Sequence, residues 1–190
     1  MKKTGMILIV AALLLLIIVI WGISAYNGLV RSDETVKEKW ANVQSAYQRR
    51  ADLIPNLVAT VKQYSDYEGD VLTEITNARA SLLNAQTPAE LQSADAQMNA
   101  ALARLLVVVE NYPDLKANEN YLSLQDELAG TENRIKVERD IYNNAVKNYN
   151  IKTRVFPSSM IAGMYVFESY DSFIADENAE NAPDVGSLFE

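Results

Sequence analysis

The chain contains neither cysteine nor histidine in its 190 residues. Without cysteine there are no disulfides and no thiolate nucleophile, and the composition suits either side of a bacterial membrane. Without histidine the commonest general base and the commonest metal ligand are missing. Ser/His/Asp and Cys/His nucleophile systems are excluded, and so are the Glu-x-x-His pairs of di-iron bundles. No glycine-rich phosphate loop is present, and with seven glycines and five prolines the punctuation is sparse. Basic residues stop at Arg154, while seven acidic residues follow it: Glu168, Asp171, Asp176, Glu177, Glu180, Asp184 and Glu190. At a net charge of −8 there is no basic face to neutralise phosphates, so nucleic acid is not an expected partner.

What the chain does have is an uncharged apolar run from Met6 to Ile23. As a helix it is about 27 Å long, close to the hydrocarbon thickness of a bilayer. It is longer than the apolar region of a secretory signal, so an uncleaved span is favoured. Ile23-Ser24-Ala25 remains a tolerable cleavage pattern. Trp21 and Tyr26 suit the membrane interface. Lys2 and Lys3 abut the run and favour a domain outside the cytoplasm, although Arg31, Lys37 and Lys39 on the other flank pull the opposite way.

From Tyr26 the apolar pattern becomes periodic. Leu29, Val36, Trp40, Val43 and Tyr47 form one helical stripe with no breaker separating it from the span, so the first helix is expected to run unbroken from lipid to Arg50. Asp52 can cap a second helix with Pro55 in its first turn, and its seam runs Leu57, Val61, Tyr64, Glu68, Val71, Ile75, Ala78, Leu82, Ala85. Thr87-Pro88-Ala89-Glu90 reads as a capping box opening a third helix, which ends near Asn111-Tyr112-Pro113. A fourth helix is expected from Asp114 or Asn118 to about Thr153. The reading is all-α: a transmembrane helix continuous with a long up-and-down antiparallel four-helix bundle. It divides into an anchor (1–25), a bundle (26–154), an apolar strap or interfacial segment (155–170) and an acidic tail (171–190). The fourth helix outlasts the third, so it must overhang or bend.

Polar residues on the stripes are the candidate sites. Glu68 and Glu138 occupy seam positions, where a carboxylate needs a partner or water. Counting down from a bundle top at Pro55 and Asp114 puts Arg79 and Glu138 in one layer, as a structural pair or a functional polar site. Gly69 and Gly130 are expected mid-helix, at close approaches or bends. Arg49 and Arg50, read as lying just before the first turn, either complement a helix C-terminus or dock a partner's carboxylate. No catalytic, metal-binding or cofactor-binding residue is assigned, and no cofactor is expected.

Three stretches carry a family resemblance: the run from Gln48 to Val58, which includes Asp52, Pro55 and Asn56; Asn111-Tyr112-Pro113-Asp114-Leu115-Lys116-Ala117; and Gly130-Thr131-Glu132-Asn133-Arg134-Ile135. With Tyr26-Asn27-Gly28-Leu29-Val30 they make the chain from Tyr26 to Asn150 resemble the LemA family of bacterial membrane proteins. The resemblance implies one N-terminal membrane segment, a long-helix bundle and no established enzymatic activity. The family includes magnetosome-membrane proteins, and its members are often found beside membrane proteases, which implies an accessory or scaffolding role. This chain departs from the pattern at Tyr67-Glu68, where His-Glu is expected. The expected function is a membrane-anchored scaffold or interaction protein of the envelope. The alternatives are a lipid-binding or membrane-shaping module and a regulator of a membrane protease. The expected partners are the lipid bilayer, envelope proteins of unknown identity and further copies of the chain.

Overall fold

A computed structural model describes residues 2–64 and 69–174. The seam position Glu68, the departure at Tyr67 and the acidic segment from residue 175 onward lie outside the described residues. Those that are described form helices α1 (Lys2–Lys62), α2 (Gly69–Asn84), α3 (Pro88–Val109), α4 (Pro113–Lys116), α5 (Glu119–Arg154) and α6 (Ser158–Met164), with no strand among them.

The apolar run and the first bundle helix are one element, as the uninterrupted pattern predicts. None of the most apolar part of α1 is buried, and it is long and apolar enough to cross a membrane. From Leu29 onward one face turns inward, burying Leu29, Val36, Val43 and Tyr47. The helix does not stop at Arg50, however. It passes through Pro55 to Lys62, so Asp52 caps nothing and lies exposed within α1. The expected second helix is therefore divided: Leu57 and Val61 belong to α1, whereas Ile75, Ala78 and Leu82 belong to α2. A seam of constant spacing reads the same whether one helix carries it or two helices share it across a turn.

α1 and α5 pack antiparallel along their length. Ser32 meets Lys152, Trp40 meets Tyr142, and Arg50 meets Glu132, so progress up α1 is matched by a similar progress back along α5. The α2–α3 hairpin covers only the upper part of this pair, away from the anchor. Its turn falls beside Gln44 and Gln48. The capping box is present, with the Glu90 amide donating to Thr87 Oγ1 at 3.2 Å and the Thr87 amide donating to Glu90 Oε2 at 3.1 Å. The molecule is thus four helices deep above Gln44 and two below it, which is the overhang that the longer fourth helix requires.

The exposed lower side of the pair is closed by the chain after α6. Three side-chain amides each bracket one backbone residue of this strap, donating to its carbonyl and accepting from its amide. Asn150 does so at Tyr170 (2.9 and 3.1 Å), Asn143 at Phe173 (3.2 and 2.9 Å) and Gln92 at Ile174 (3.2 and 3.4 Å). The amides stand in for a neighbouring strand, satisfying a backbone that has no secondary structure of its own. Phe173 is buried against Trp40 and Tyr142, and the Arg139 guanidinium lies 4.7 Å from its ring centre. The packed strap therefore reaches Ile174. The boundary expected at 171 falls inside it, because Asp171 reads as the start of the acidic run although only its carbonyl is engaged, by the Tyr142 hydroxyl.

Neither Gly69 nor Gly130 marks a close helix approach. Gly69 opens α2, and a Cβ at either position would meet nothing within 4 Å.

Two tyrosines where the strap meets the bundle, Tyr142 of α5 and Tyr170 of the strap, give the fold an alkaline limit. Burial, followed by the Asp171 charge, pushes Tyr142 up to about 12; burial, then the hydrogen bond to Asp33, does the same for Tyr170. Because the folded values lie above the ordinary tyrosine value near 10, the folded state holds these protons longer. Their contribution is complete below about pH 10 and is lost as the pH rises through about 12. Denaturant unfolding followed across this range, with phenolate absorbance recorded in parallel, should show stability falling over that window and a shallower fall in Tyr142→Phe.

Candidate interaction site

The sequence motif from Gln48 to Val58 lies on α1 at the level where all four long helices meet. Its buried charged side chain is Arg50, which is 3% exposed. Arg50 occupies the same stripe as Tyr47 and Ile54, one turn from each, so the helical period drives a guanidinium into the core. There Nη1 donates to Asp95 Oδ1 of α3 at 2.7 Å and to Glu132 Oε2 of α5, and Nη2 donates to Asn99 Oδ1 of α3. One side chain of α1 thus ties α3 to α5. Arg49, its neighbour, lies exposed.

The cluster carries one cation and two carboxylates. Asp95 is buried and Glu132 is half in water. Burial raises the Asp95 pKa above its ordinary value, and Arg50 pulls it back. Two polar atoms in the cluster, Arg50 Nε and the Tyr47 hydroxyl beside Asp95, are buried without a well-formed hydrogen bond. Burial also raises the Tyr47 pKa. Above the cluster, α3 and α5 diverge to leave a cavity of about 380 Å³ with Leu57 at its base and Leu102, Leu106 and Leu128 on its walls. Arg50, Asn99 and Glu132 close its lower end.

Pro55 and Arg79 form a second constellation. Proline has no N–H, so within a helix it leaves the carbonyl four residues earlier without its donor. That carbonyl is Ala51, which is fully buried, and Arg79 Nε of α2 donates to it at 2.8 Å. Arg79 therefore repairs the gap that Pro55 opens. The sequence count had put Arg79 level with Glu138. The structure separates them, with Glu138 reaching Arg134 at 4.0 Å on its own helix. The count failed because it took Pro55 as the top of the bundle, whereas α1 continues for two more turns to Lys62. Asn56 is exposed, and its carbonyl accepts from Thr60 Oγ1 at 2.9 Å. Trp21 and Tyr26 lie at the upper end of the apolar part of α1, both partly exposed.

Asp95, Asn99 and Glu132 were not singled out from the sequence. Glu132 sits within one of the stretches carrying the family resemblance, and Asp95 follows the seam residue Ala94. The signal that could have found them was Arg50 on a stripe position, a buried cation that needs carboxylates.

Among the described residues, no three His, Cys, Asp or Glu side chains are grouped to hold a metal ion. The fold and this core define a class: a membrane-associated helical bundle whose polar centre ties helices together. The LemA family profile matches residues 39–186, most of the chain, and the protein belongs to that family. Among curated relatives, Protein LemA of Metamycoplasma hominis is 28% identical over 140 residues, covering 72% of this chain and 63% of the relative. Magnetosome protein MamQ 2 of Paramagnetospirillum magneticum is 25% identical over 174 residues, covering 78% of this chain and 64% of the relative. Magnetosome protein MamQ of Magnetospirillum gryphiswaldense is 23% identical with the same coverage. The chain spans less than two thirds of the length of these relatives.

Both constellations can be tested by substitution. Arg50→Met leaves Asp95 as a buried charge without its cation and should cost about 3–5 kcal/mol in urea unfolding, with Asp95→Asn in the same background recovering part of the loss. Because the folded Asp95 value is raised, its contribution is complete below the ordinary aspartate value and declines as pH rises through the folded one. The Arg50→Met deficit should accordingly shrink in acid. Arg79→Met should cost about 1–3 kcal/mol by orphaning the Ala51 carbonyl. In a Pro55→Ala background, where a helix amide is available again, the same substitution should cost markedly less, and additive losses in the double-mutant cycle would refute the coupling.

Proposed function

We propose that this protein is a membrane-anchored scaffold, with no catalytic activity of its own, that holds a rigid helical bundle at a defined height above the bilayer and presents its faces to envelope proteins or to further copies of itself. The observation that carries this reading is the continuity of α1, one helix from the apolar run to Lys62. A flexible tether would let the bundle tumble, whereas a continuous helix fixes its distance and tilt. The segment of α1 from Tyr26 to Lys62 is about 55 Å long, far beyond what anchoring requires. The absence of histidine and cysteine from the chain supports the non-catalytic part of the reading.

The outward end of the bundle offers apolar side chains for partner contact, namely Leu106 and Val107 on α3 and Leu122 on α5, all exposed. The magnetosome names of two relatives agree with work at a membrane surface. We place the bundle outside the cytoplasm because Lys2 and Lys3 directly abut the apolar run. A photo-crosslinker at Val107, activated in intact membranes at native expression, should capture the same neighbour repeatedly when analysed by mass spectrometry. Monomer alone would overturn the scaffold. A phosphatase fused to the C-terminus should be active, and a fluorescent protein fused there dark; the reverse would invert the orientation without affecting the rest.

A further inference from the structure

The antiparallel register carries the end of α5 to the foot of the bundle. With Lys152 opposite Ser32, the chain reaches Phe156 and Pro157 level with the first turn above the apolar run. α6 then packs against both α1 and α5, burying Ala162. The strap beyond it confirms the level, since Tyr26 meets the ring of Tyr165 at 4.8 Å and that of Phe167 at 5.9 Å between centres. Gly22 and Ala25 are half-buried while Ile23 and Ser24 between them are exposed, so the covered face of α1 extends below Tyr26 into the apolar run itself.

The outer side of this segment is apolar and uncovered. Phe156 is 75% exposed, Met160 63%, Met164 71% and Val166 74%. Val166 also has a φ of 55°. Its place is the one just past a helix end, where the Phe167 amide donates to the Ala162 carbonyl at 3.0 Å and glycine is the usual occupant. A β-branched residue there is strained and gains nothing from packing. Strain and exposure together indicate that the side chain acts outside the protein fold. The four patch residues themselves are uncharged, and the last basic residues, Lys152 and Arg154, stand just before Phe156, so the patch offers hydrocarbon contact with cations at its edge.

We propose that Phe156, Met160, Met164 and Val166 form a second bilayer contact, entering the membrane interface beside the anchor so that the bundle stands on two points rather than one. The occupant is lipid because the patch adjoins the upper end of an apolar helix long enough to cross a bilayer. The proposal rests on the membrane-anchored reading and adds a contact that the anchor alone does not supply. Penetration of interfacial apolar segments is on the order of 5–10 Å.

The absence of native cysteine makes single-site labelling direct. The full-length protein, reconstituted in vesicles of phosphatidylethanolamine and phosphatidylglycerol, is spin-labelled at Phe156→Cys, Met160→Cys or Met164→Cys, with Leu13→Cys in the anchor and Val137→Cys on exposed α5 as references. Labels at 156, 160 and 164 should collide more often with oxygen than with an aqueous nickel chelate, inverting the order found at 137. If they match 137 while 13 reports deep burial in lipid, the second contact is wrong and the anchor stands. If 13 is itself accessible to nickel, the anchored reading falls and the second contact falls with it.

Discussion

Everything in this molecule depends on one helix keeping its hydrogen bonds from the apolar run to Lys62. Pro55 is the position at which that helix should fail, since it removes an amide and leaves the buried Ala51 carbonyl without a donor. Arg79 restores the missing bond from α2. The repair has two effects at once: it keeps α1 intact, and it fixes the height at which α2 descends. Five residues below Pro55, on the stripe that includes Tyr47, the Arg50 guanidinium fixes α3 and α5 to the same helix through Asp95, Asn99 and Glu132. Both arginines therefore measure the other helices against α1, one by a backbone bond and one by an ion cluster. A buried ion cluster is a weak source of net stability, but it tolerates little displacement, and here it specifies register.

The lower half is organised on a different principle. Below Gln44 there is no α2–α3 hairpin to cover the α1–α5 pair, and the chain supplies a single irregular strap instead. An unstructured backbone is expensive to bury unless each amide and carbonyl finds a partner. Asn143, Asn150 and Gln92 meet that requirement two bonds at a time, and Phe173 contributes the apolar contact. The strap thus turns a two-helix stalk into a closed structure without a further helix.

The helical content, the capping box at Thr87, the continuity from the span into the bundle and the overhang of the fourth helix were all legible in the sequence, because each follows from apolar spacing or from a local cap. The continuation of α1 past Asp52 was not, because Pro55 reads as a first-turn proline and its rescuer lies 24 residues away in the chain. That error propagated. With the bundle top set at Pro55, the residue count aligns Arg79 with Glu138 and leaves Arg50 beside a helix terminus, to complement it or to dock a partner's carboxylate, rather than in the core. The strap past residue 170 was hidden for a related reason, since its partners are side-chain amides on α5 and α3 and its own residues carry no period.

The stepped cross-section has a mechanical consequence. Bending stiffness rises steeply with the breadth of a beam, so the broad four-helix head is the stiff part and the narrow α1–α5 stalk is the compliant one. A sideways pull on the head acts through the lever arm of α1 and is felt as torque at the residues nearest Tyr26. The load therefore falls on the foot rather than on the contacts inside the head, and how firmly the head keeps its tilt is set by whatever grips the foot.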